Sequence, residues 1–308
     1  MKNKYFFGSI LTVLLFSTLC VNAQRPVWLV GHRCNSQKSL HEVLVDGGNG
    51  VEIDVRTPNE GKFWCVDHGY TWSQTSCDGV NHLSLAQYLA LPELKNEQFC
   101  LLWIDCKHSY VKELVEYVHA NIPANIKGKF AIAYCRYNLS DLDYYVTDAS
   151  GCYMHILQWL KENLWPNEGI GLAWERASNI AFKNLLDQHS FPYEKHFFTD
   201  GTWHSKKVTY GSRWAQSLRL ASSYRDAKNF CSRVGFWSAS TAYDAYWFFD
   251  RSYGNTNCDV VLAECRETVH IPFCSPTALK YCKQDYLDKH QDKFRMAKRD
   301  DKFFAFPR

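Results

Sequence analysis

The sequence predicts an α/β fold built as one (β/α)₈ barrel, and three observations carry that prediction. Short apolar runs alternate with stretches of helical spacing from residue 26 onward, which is the pattern of repeated strand and helix units. The apolar runs are about as numerous as eight barrel strands and a hairpin near the start would require. No linker, low-complexity segment or charge run divides the chain. We therefore expect one domain rather than two.

The composition and the spacing of apolar residues predict a large core and the positions of the strands and helices. Of the 308 residues, 46% are apolar, 16% are aromatic and 22% are charged, so the chain can bury a sizeable core. The short apolar runs predict strands at 27–30, 51–55, 63–66, 100–104, 130–134, 171–174, 196–199, 234–237 and 259–262. The helical spacing predicts helices at 36–46, 84–91, 110–121, 153–163, 178–189, 214–229 and 242–251.

The first residues of the chain look separate from the barrel. Lys2 and Lys4 precede a long apolar run, and the small residue Ala23 ends the segment. This is the pattern of a secretory signal peptide over residues 1–23, with an uncleaved membrane anchor as the alternative. We therefore expect residues 24–308 to form the barrel domain of a secreted protein.

The net charge and the number of cysteines limit the classes of partner and the cellular compartment that can be expected. The formal net charge is +3, and loss of the leader with its two lysines lowers it to +1. So balanced a chain offers no electrostatic reason to expect a nucleic-acid partner. The leader also contains Cys20, so 12 of the 13 cysteines remain. An even number suits an oxidising compartment, and we expect disulfides whose pairing the sequence leaves open.

Ionisable side chains stand at the ends of the first four predicted strands. The carboxyl ends of the strands and the loops after them form the active site of a (β/α)₈ barrel, so these side chains are expected at one rim. The six groups are His32 after the first strand, Glu52 and Asp54 in the second, His68 after the third, and Asp105 and Lys107 after the fourth.

Three of these groups are carboxylates that can share a cation. Glu52 and Asp54 are two residues apart in an apolar strand, so they leave on the same face, and burying both is costly without a cation or proton between them. With Asp105 they supply three oxygen ligands, which suits a hard divalent cation such as Mg²⁺ rather than Zn²⁺. The alternative for Glu52 and Asp54 is a rim salt bridge to Arg or Lys.

The other three groups suit phosphodiester chemistry. His32 and His68 can act as general acid and base, although any one of the 12 histidines taken alone is more often a surface or hydrogen-bonded residue. Lys107 can neutralise a phosphate held by the metal, or it can form an ion pair with Asp105 or Glu52. Two histidines, one lysine and a hard cation together could cleave a phosphodiester without a serine or cysteine nucleophile.

At these residues the chain resembles the sphingomyelinase D-like phospholipases D of spider venoms and their relatives, themselves akin to glycerophosphodiester phosphodiesterases. The resemblance implies a (β/α)₈ barrel with Mg²⁺ on Glu52, Asp54 and Asp105. It also implies an acid–base pair of two histidines and a phosphate contact from the lysine. The motifs that carry it lie at 25–32, 51–55, 68–69, 103–107, 200–201, 234–237 and 293–297.

The family resemblance further implies a substrate and a reaction. It implies release of choline or ethanolamine from a sphingolipid or lysophospholipid at a membrane surface, with the lipid's own hydroxyl attacking to give a cyclic phosphate. Trp237 is expected near the substrate, with core packing as its alternative. We expect a monomer. The alternatives are a glycerophosphodiester phosphodiesterase that uses water, and a non-enzymatic lipid-binding relative.

Several departures from the family pattern indicate a divergent member. The loop after His68 holds a single cysteine, Cys77, where the family is cysteine-dense. Ser240 stands where the family often carries an acid, so the headgroup preference is not carried over. The tail that closes the far end of the barrel in the family is present only as residues 301–304, Asp-Lys-Phe-Phe, without its proline and tryptophan.

Overall fold

The computed structural model describes residues 24–57, 61–68, 82–136, 139–173, 179–201, 212–239, 248–249, 256–264 and 277–307. The expected signal peptide, Cys77, Ser240 and most of the helix expected at 242–251 lie outside these ranges. No helix within the described ranges is both long enough and apolar enough to cross a membrane.

Eight parallel strands close into a barrel. Their order around it is β1, β2, β4, β5, β8, β9, β10 and β11, and the ring closes because β1 pairs with both β2 and β11. The predicted (β/α)₈ barrel is confirmed by this topology. These strands are β1 Arg25–His32, β2 Gly50–Arg56, β4 Leu101–Cys106, β5 Ala131–Arg136, β8 Glu168–Ala173, β9 His196–Gly201, β10 Arg233–Ala239 and β11 Val260–Glu264.

Four short strands of the described residues lie outside the ring. β3 Cys65–Val66 pairs antiparallel with β2, which confirms the hairpin expected near the start. β6 Tyr145–Thr147 and β7 Tyr153–His155 form a second hairpin. β12 Phe294–Met296 runs parallel to the start of β1.

Helices pack around the ring of strands. Within the described ranges the α-helices are α1 Gln37–Val45, α2 Leu85–Leu89, α3 Val111–Asn121, α4 Ile156–Asn163, α5 Asn179–Gln188, α6 Arg213–Asp226 and α7 Ala278–Tyr281. Short 3₁₀ turns span Pro92–Lys95, Leu139–Leu142, Tyr193–Lys195 and Leu287–Lys289, and a π turn spans Cys282–Tyr286. Serine side chains cap the starts of α1 and α2 and explain where these helices begin.

The alternation of side chains along each strand separates two apolar layers. Val51, Ile53 and Val55 of β2 pack in the outer layer, between the barrel and its helices. Trp28 and Trp103 pack in the inner layer, inside the barrel. Because successive strand residues face opposite sides, the polar residues between outer-layer positions face the barrel interior. The expectation that Glu52 and Asp54 share the face opposite to the valines is therefore confirmed.

The far end of the barrel is closed by the tail. Phe303 and Phe304 belong to the inner layer, and the Phe303 ring meets Trp28 edge-on at a centroid distance of 5.1 Å. A Cβ built on Gly169 would lie 2.3 Å from the Phe304 ring, so only glycine allows this aromatic to seat. Two phenylalanines therefore close the barrel although the family's proline and tryptophan are missing.

Two of the sequence-based boundaries that are wrong share one cause. The helix expected at 153–163 begins only at Ile156, because Tyr153–His155 form β7 and the His155 side chain caps the helix. The strand expected at 171–174 begins earlier, at Glu168. In both places pairing with a neighbouring strand decides the structure over the local pattern.

The described cysteines differ from a disulfide framework. Cys65 is disulfide-bonded, and its partner lies outside the described residues. The other eight described cysteines are free thiols, all buried except Cys152. Burial raises the pKa of several of these thiols, that of Cys258 for example to about 12, which keeps them protonated and unreactive.

Candidate active site

The three predicted carboxylates meet at the rim of the barrel. β2 and β4 pair in parallel with Asp54 directly opposite Asp105, and Glu52 precedes Asp54 on the same inner face. One carboxylate oxygen from each residue lies within 4.8 Å of the others. All three side chains are buried, the most exposed being Asp105 at 4%. The sequence therefore predicted a real cluster, which we call the carboxylate cluster.

The loop between β1 and α1 holds two of these carboxylates. The backbone N–H of Arg33 donates to Oε2 of Glu52 at 2.6 Å. The Asn35 side chain donates to Oδ2 of Asp54 at 2.8 Å and accepts from the Asp54 backbone N–H at 2.9 Å. These hydrogen bonds fix the direction of each carboxylate, and neither Arg33 nor Asn35 was predicted as a site residue.

Lys107 lies within the carboxylate cluster. Its Nζ is 2.6 Å from Oδ1 of Asp54 and 2.5 Å from Oδ2 of Asp105. The ion pair considered as the alternative role for this lysine is thus present with Asp105, and a second one joins it to Asp54. The cluster has three carboxylates and the ammonium group of Lys107, so these four groups carry a net negative charge when all are ionised.

The negative charge and the burial of the cluster shift the pKa values of its carboxyl groups. Burial, and then the charges of Asp54 and Asp105, raise the pKa of Glu52 well above its ordinary value. Burial would also raise the pKa of Asp54, but Lys107 and His68 outweigh it and lower that pKa to about 2. Three oxygen donors with uncompensated charge suit a hard divalent cation, so the residues present fit the expected metal.

His32 is held by a carboxylate that the sequence did not predict. Its Nδ1 lies 2.9 Å from Oε1 of Glu264, and both side chains are largely buried. Ser238 donates from Oγ to the same oxygen at 2.7 Å. His32 ends β1 and Glu264 ends β11, and these two residues are direct partners in the parallel ladder. His32 is therefore anchored at the same rim as the carboxylate cluster.

His68 faces the cluster from the other side. The backbone N–H of Asp67 donates to the carbonyl of Asp54 at 3.0 Å, which brings the end of β3 to the end of β2. Burial, helped by the cations Arg33 and Lys107 and opposed by Asp54, lowers the pKa of His68 to about 4. His68 lies within electrostatic reach of the carboxylates.

Trp237 lies near the end of β10. It is half-buried and packs against the inner layer. In the ladder it is paired with Gly201 of β9 and Leu262 of β11. Trp237 is adjacent to Ser238 and therefore lies at the rim that holds His32. Trp28 of β1, in contrast, is fully buried in the barrel interior.

A second group of possible metal ligands lies elsewhere and was not predicted. Asp143, His155 and His189 each bring one ligand atom within 4.8 Å of the others. The Leu157 backbone N–H donates to Nδ1 of His155 at 3.2 Å, and Nε2 of His155 lies 3.2 Å from Oδ1 of Asp143. The His155 and His189 rings stack at 3.4 Å. We call this group the hairpin cluster, because His155 ends the β6–β7 hairpin.

Two solved structures are similar to this chain at low identity. A spore coat polysaccharide biosynthesis protein of Bacillus subtilis is 9% identical, with a TM-score of 0.49 over 89% of this chain and 72% of its own. A protein of Silicibacter pomeroyi assigned as a glycerophosphoryl diester phosphodiesterase is 12% identical, with a TM-score of 0.47 over 84% of this chain and 94% of its own. At these values neither likeness carries an argument about function.

Two sequence comparisons bear on the resemblance stated above. A family described as dermonecrotic toxin SPH matches residues 22–122, a range that contains the carboxylate cluster and both predicted histidines. A sphingomyelinase D of Trichophyton rubrum is 24% identical over 188 residues, which are 58% of this chain and 51% of that protein. The chain thus spans about half the length of this curated relative. These matches confirm the resemblance drawn from the sequence and fit a divergent member of the sphingomyelinase D-like family.

Proposed function

We propose that the protein is a secreted Mg²⁺-dependent phosphodiesterase of the phospholipase D type. Its substrate is a sphingolipid or lysophospholipid at a membrane surface, from which it releases choline or ethanolamine as a monomeric enzyme. The observation that supports this most is the single rim where a buried carboxylate cluster, a lysine and two histidines meet. This combination of groups can carry out metal-assisted phosphodiester cleavage.

The residues of this chain divide the work in the proposed reaction. Glu52, Asp54 and Asp105 would hold Mg²⁺, which when bound supplies positive charge that stabilises the phosphate oxygens in the transition state. Lys107 adds a second cation at the same place, since its Nζ already lies between Asp54 and Asp105. One of the two histidines takes the proton of the attacking hydroxyl, and the other histidine protonates the leaving headgroup oxygen.

The remaining parts of the proposal concern the headgroup and the product. The half-buried Trp237 offers an aromatic face near His32, which suits the ammonium of choline or ethanolamine. Attack by a hydroxyl of the lipid itself gives a cyclic phosphate, and no water need be activated. Attack by water would give an open phosphate and would make the protein a glycerophosphodiesterase-type hydrolase.

The test is a product analysis with defined lipids. The secreted chain is incubated with vesicles containing sphingomyelin, ceramide phosphoethanolamine or lysophosphatidylcholine, with Mg²⁺ or with EDTA, and the products are identified by mass spectrometry. We expect headgroup release that requires Mg²⁺, with a lipid product lighter by one water than the open phosphate. An open phosphate would replace the lyase by a hydrolase. Binding to vesicles without turnover of any lipid would refute the enzymatic proposal.

A pair of variants controls this assay. His32→Ala and His68→Ala should each abolish headgroup release while the far-ultraviolet circular dichroism spectrum is unchanged. Asp143→Asn, in the hairpin cluster, serves as the matched control because it changes a carboxylate–histidine contact outside the rim. Undiminished release in both histidine variants would show that the activity does not come from this site.

A further inference from the structure

Glu264 is a buried acid at the end of an otherwise apolar strand. β11 reads Val-Val-Leu-Ala-Glu, and Glu264 is 1% exposed. Val260 and Leu262 belong to the inner layer, so the period of two along the strand turns Glu264 toward the barrel interior as well. On β1, Trp28 and Val30 belong to the same layer, and the same period brings His32 to face it. The two side chains therefore meet at the last inward position of adjacent strands.

One oxygen of Glu264 receives two hydrogen bonds. Oε1 lies 2.9 Å from Nδ1 of His32 and 2.7 Å from Oγ of Ser238. An ionised carboxylate only accepts hydrogen bonds, so the proton in the contact with His32 lies on Nδ1. In a neutral imidazole the other nitrogen, Nε2, then carries the lone pair. The contact thus selects one of the two tautomers of His32.

We propose that Glu264 is a positioning residue that holds His32 in the Nδ1–H tautomer and so makes His32 the base of the reaction. The part about the base rests on the proposed function, whereas the tautomer does not. In the proposed step Nε2 of His32 takes the proton of the attacking lipid hydroxyl. The hydroxyl oxygen forms a bond to phosphorus, the bond from phosphorus to the headgroup oxygen breaks, and that oxygen takes a proton from His68, the other member of the proposed acid–base pair.

The carboxylate also has an electrostatic task in this step. When His32 accepts a proton it becomes an imidazolium, and the adjacent Glu264 stabilises that charge at a buried site. Ser238 fixes the direction of the carboxylate through its second hydrogen bond. Glu264 acts through His32, so its loss should lower kcat far more than it raises KM.

The test combines nuclear magnetic resonance with kinetics on the full secreted chain. Histidine ring nitrogens are labelled with ¹⁵N, and long-range ¹H–¹⁵N correlations report which nitrogen of His32 carries the proton, with His32→Gln used to assign its signals. We expect the Nδ1–H form in the wild type and a mixture of tautomers in Glu264→Ala. Headgroup release should fall by about 10²–10⁴-fold in kcat in Glu264→Ala, with KM within a few-fold.

Two further variants keep the result interpretable. Glu264→Gln retains an acceptor oxygen but no charge, so it should keep the Nδ1–H tautomer and recover part of the lost kcat, and it replaces the alanine variant should that fail to fold. Asp143→Asn should leave both the His32 tautomer and kcat at wild-type values. An Nε2–H tautomer in the wild type, or one unchanged by both Glu264 variants, would overturn the proposal. Absence of headgroup release in the wild type would refute the proposed function alone, since the tautomer is measured without substrate.

Discussion

Within the described part of the chain there are two clusters of possible metal ligands, and they differ in the hydrogen bonds and ion pairs that their atoms already make. In the carboxylate cluster three buried acids from β2 and β4 lie together, and Lys107 forms ion pairs with two of them, Asp54 and Asp105. In the hairpin cluster one exposed acid, Asp143, stands beside two stacked histidines. In both groups one ligand atom of each residue lies within 4.8 Å of the others. Their proximity alone therefore says little about which one holds a cation.

The difference lies in charge and in free lone pairs. The carboxylate cluster keeps more negative than positive charge in a buried place, which is costly until a cation arrives. In the hairpin cluster Nδ1 of His155 accepts from the Leu157 N–H, so the ring proton lies on Nε2 and points to Asp143. A histidine with both ring nitrogens engaged has no lone pair to offer a metal. We conclude that the hairpin cluster is a helix cap.

The largest expected effect is a loss of headgroup release in variants of the carboxylate cluster but not in a variant of the hairpin cluster. Asp54→Asn and Glu52→Gln each remove one charged ligand and should lower Mg²⁺-dependent headgroup release by at least about 10³-fold, since metal and charge stabilisation are lost together. The conservative change Asp143→Asn should leave the rate unchanged. Initial rates at saturating lipid provide the measurement. Full activity in either variant of the carboxylate cluster, in the presence of EDTA, would contradict this assignment.

A smaller effect concerns His196, a buried histidine that belongs to neither cluster. Its Nδ1 donates to the carbonyl of Phe230 at 2.9 Å, and burial lowers its pKa to about 3. The unfolded chain takes up a proton near pH 6.5, which the folded chain resists until about pH 3. The contribution of this residue to stability is therefore complete above pH 6.5 and is lost as the pH falls, by about 1.4 kcal/mol per pH unit.

Chemical denaturation at pH 7, 6 and 5 tests this dependence. The variant His196→Gln cannot be protonated but keeps a donor for the Phe230 carbonyl, so its unfolding free energy should fall less steeply with decreasing pH than that of the wild type. The other groups that titrate in this range contribute equally to both proteins, so the difference between the two slopes of unfolding free energy against pH reports His196 alone. Equal slopes would mean that His196 takes up its proton as easily in the folded chain as in the unfolded one.

The smallest effect tests the assignment of the hairpin cluster as a cap. His155→Ala removes the acceptor for the Leu157 N–H and should cost about 1 kcal/mol of unfolding free energy. His155→Asn restores a good capping side chain and should recover most of that loss. Neither change should alter activity. If Zn²⁺ or Mg²⁺ raises the melting temperature of the wild type but not of His155→Asn, with Asp54→Asn keeping the increase, the hairpin cluster binds metal after all.

Much of the site could be predicted because strand periodicity and barrel topology act together. A period of two placed Glu52 and Asp54 on one face, and parallel pairing carried Asp105 next to them. Glu264 was missed because the last strand was predicted to end at residue 262, two residues short of its observed end. The same period, extended by one more inward position, would have found it.

Other features depend on contacts that no local pattern records. The apolar spacing of 153–163 is continuous, yet pairing with β6 makes Tyr153–His155 a strand and shifts the start of α4. Asn35 and Arg33 support the carboxylates from a loop whose path is set by the barrel. Likewise, the closing role of Phe303 and Phe304 depends on the space left by Gly169.

The central claim is that Glu52, Asp54 and Asp105 form a binding site for one divalent cation. Isothermal titration calorimetry of Mg²⁺ into the EDTA-treated and dialysed protein tests it most directly. We predict one site per chain in the wild type and in Asp143→Asn, and no measurable binding in Asp54→Asn. Equal binding in the wild type and Asp54→Asn, or a loss of binding in Asp143→Asn, would contradict the account.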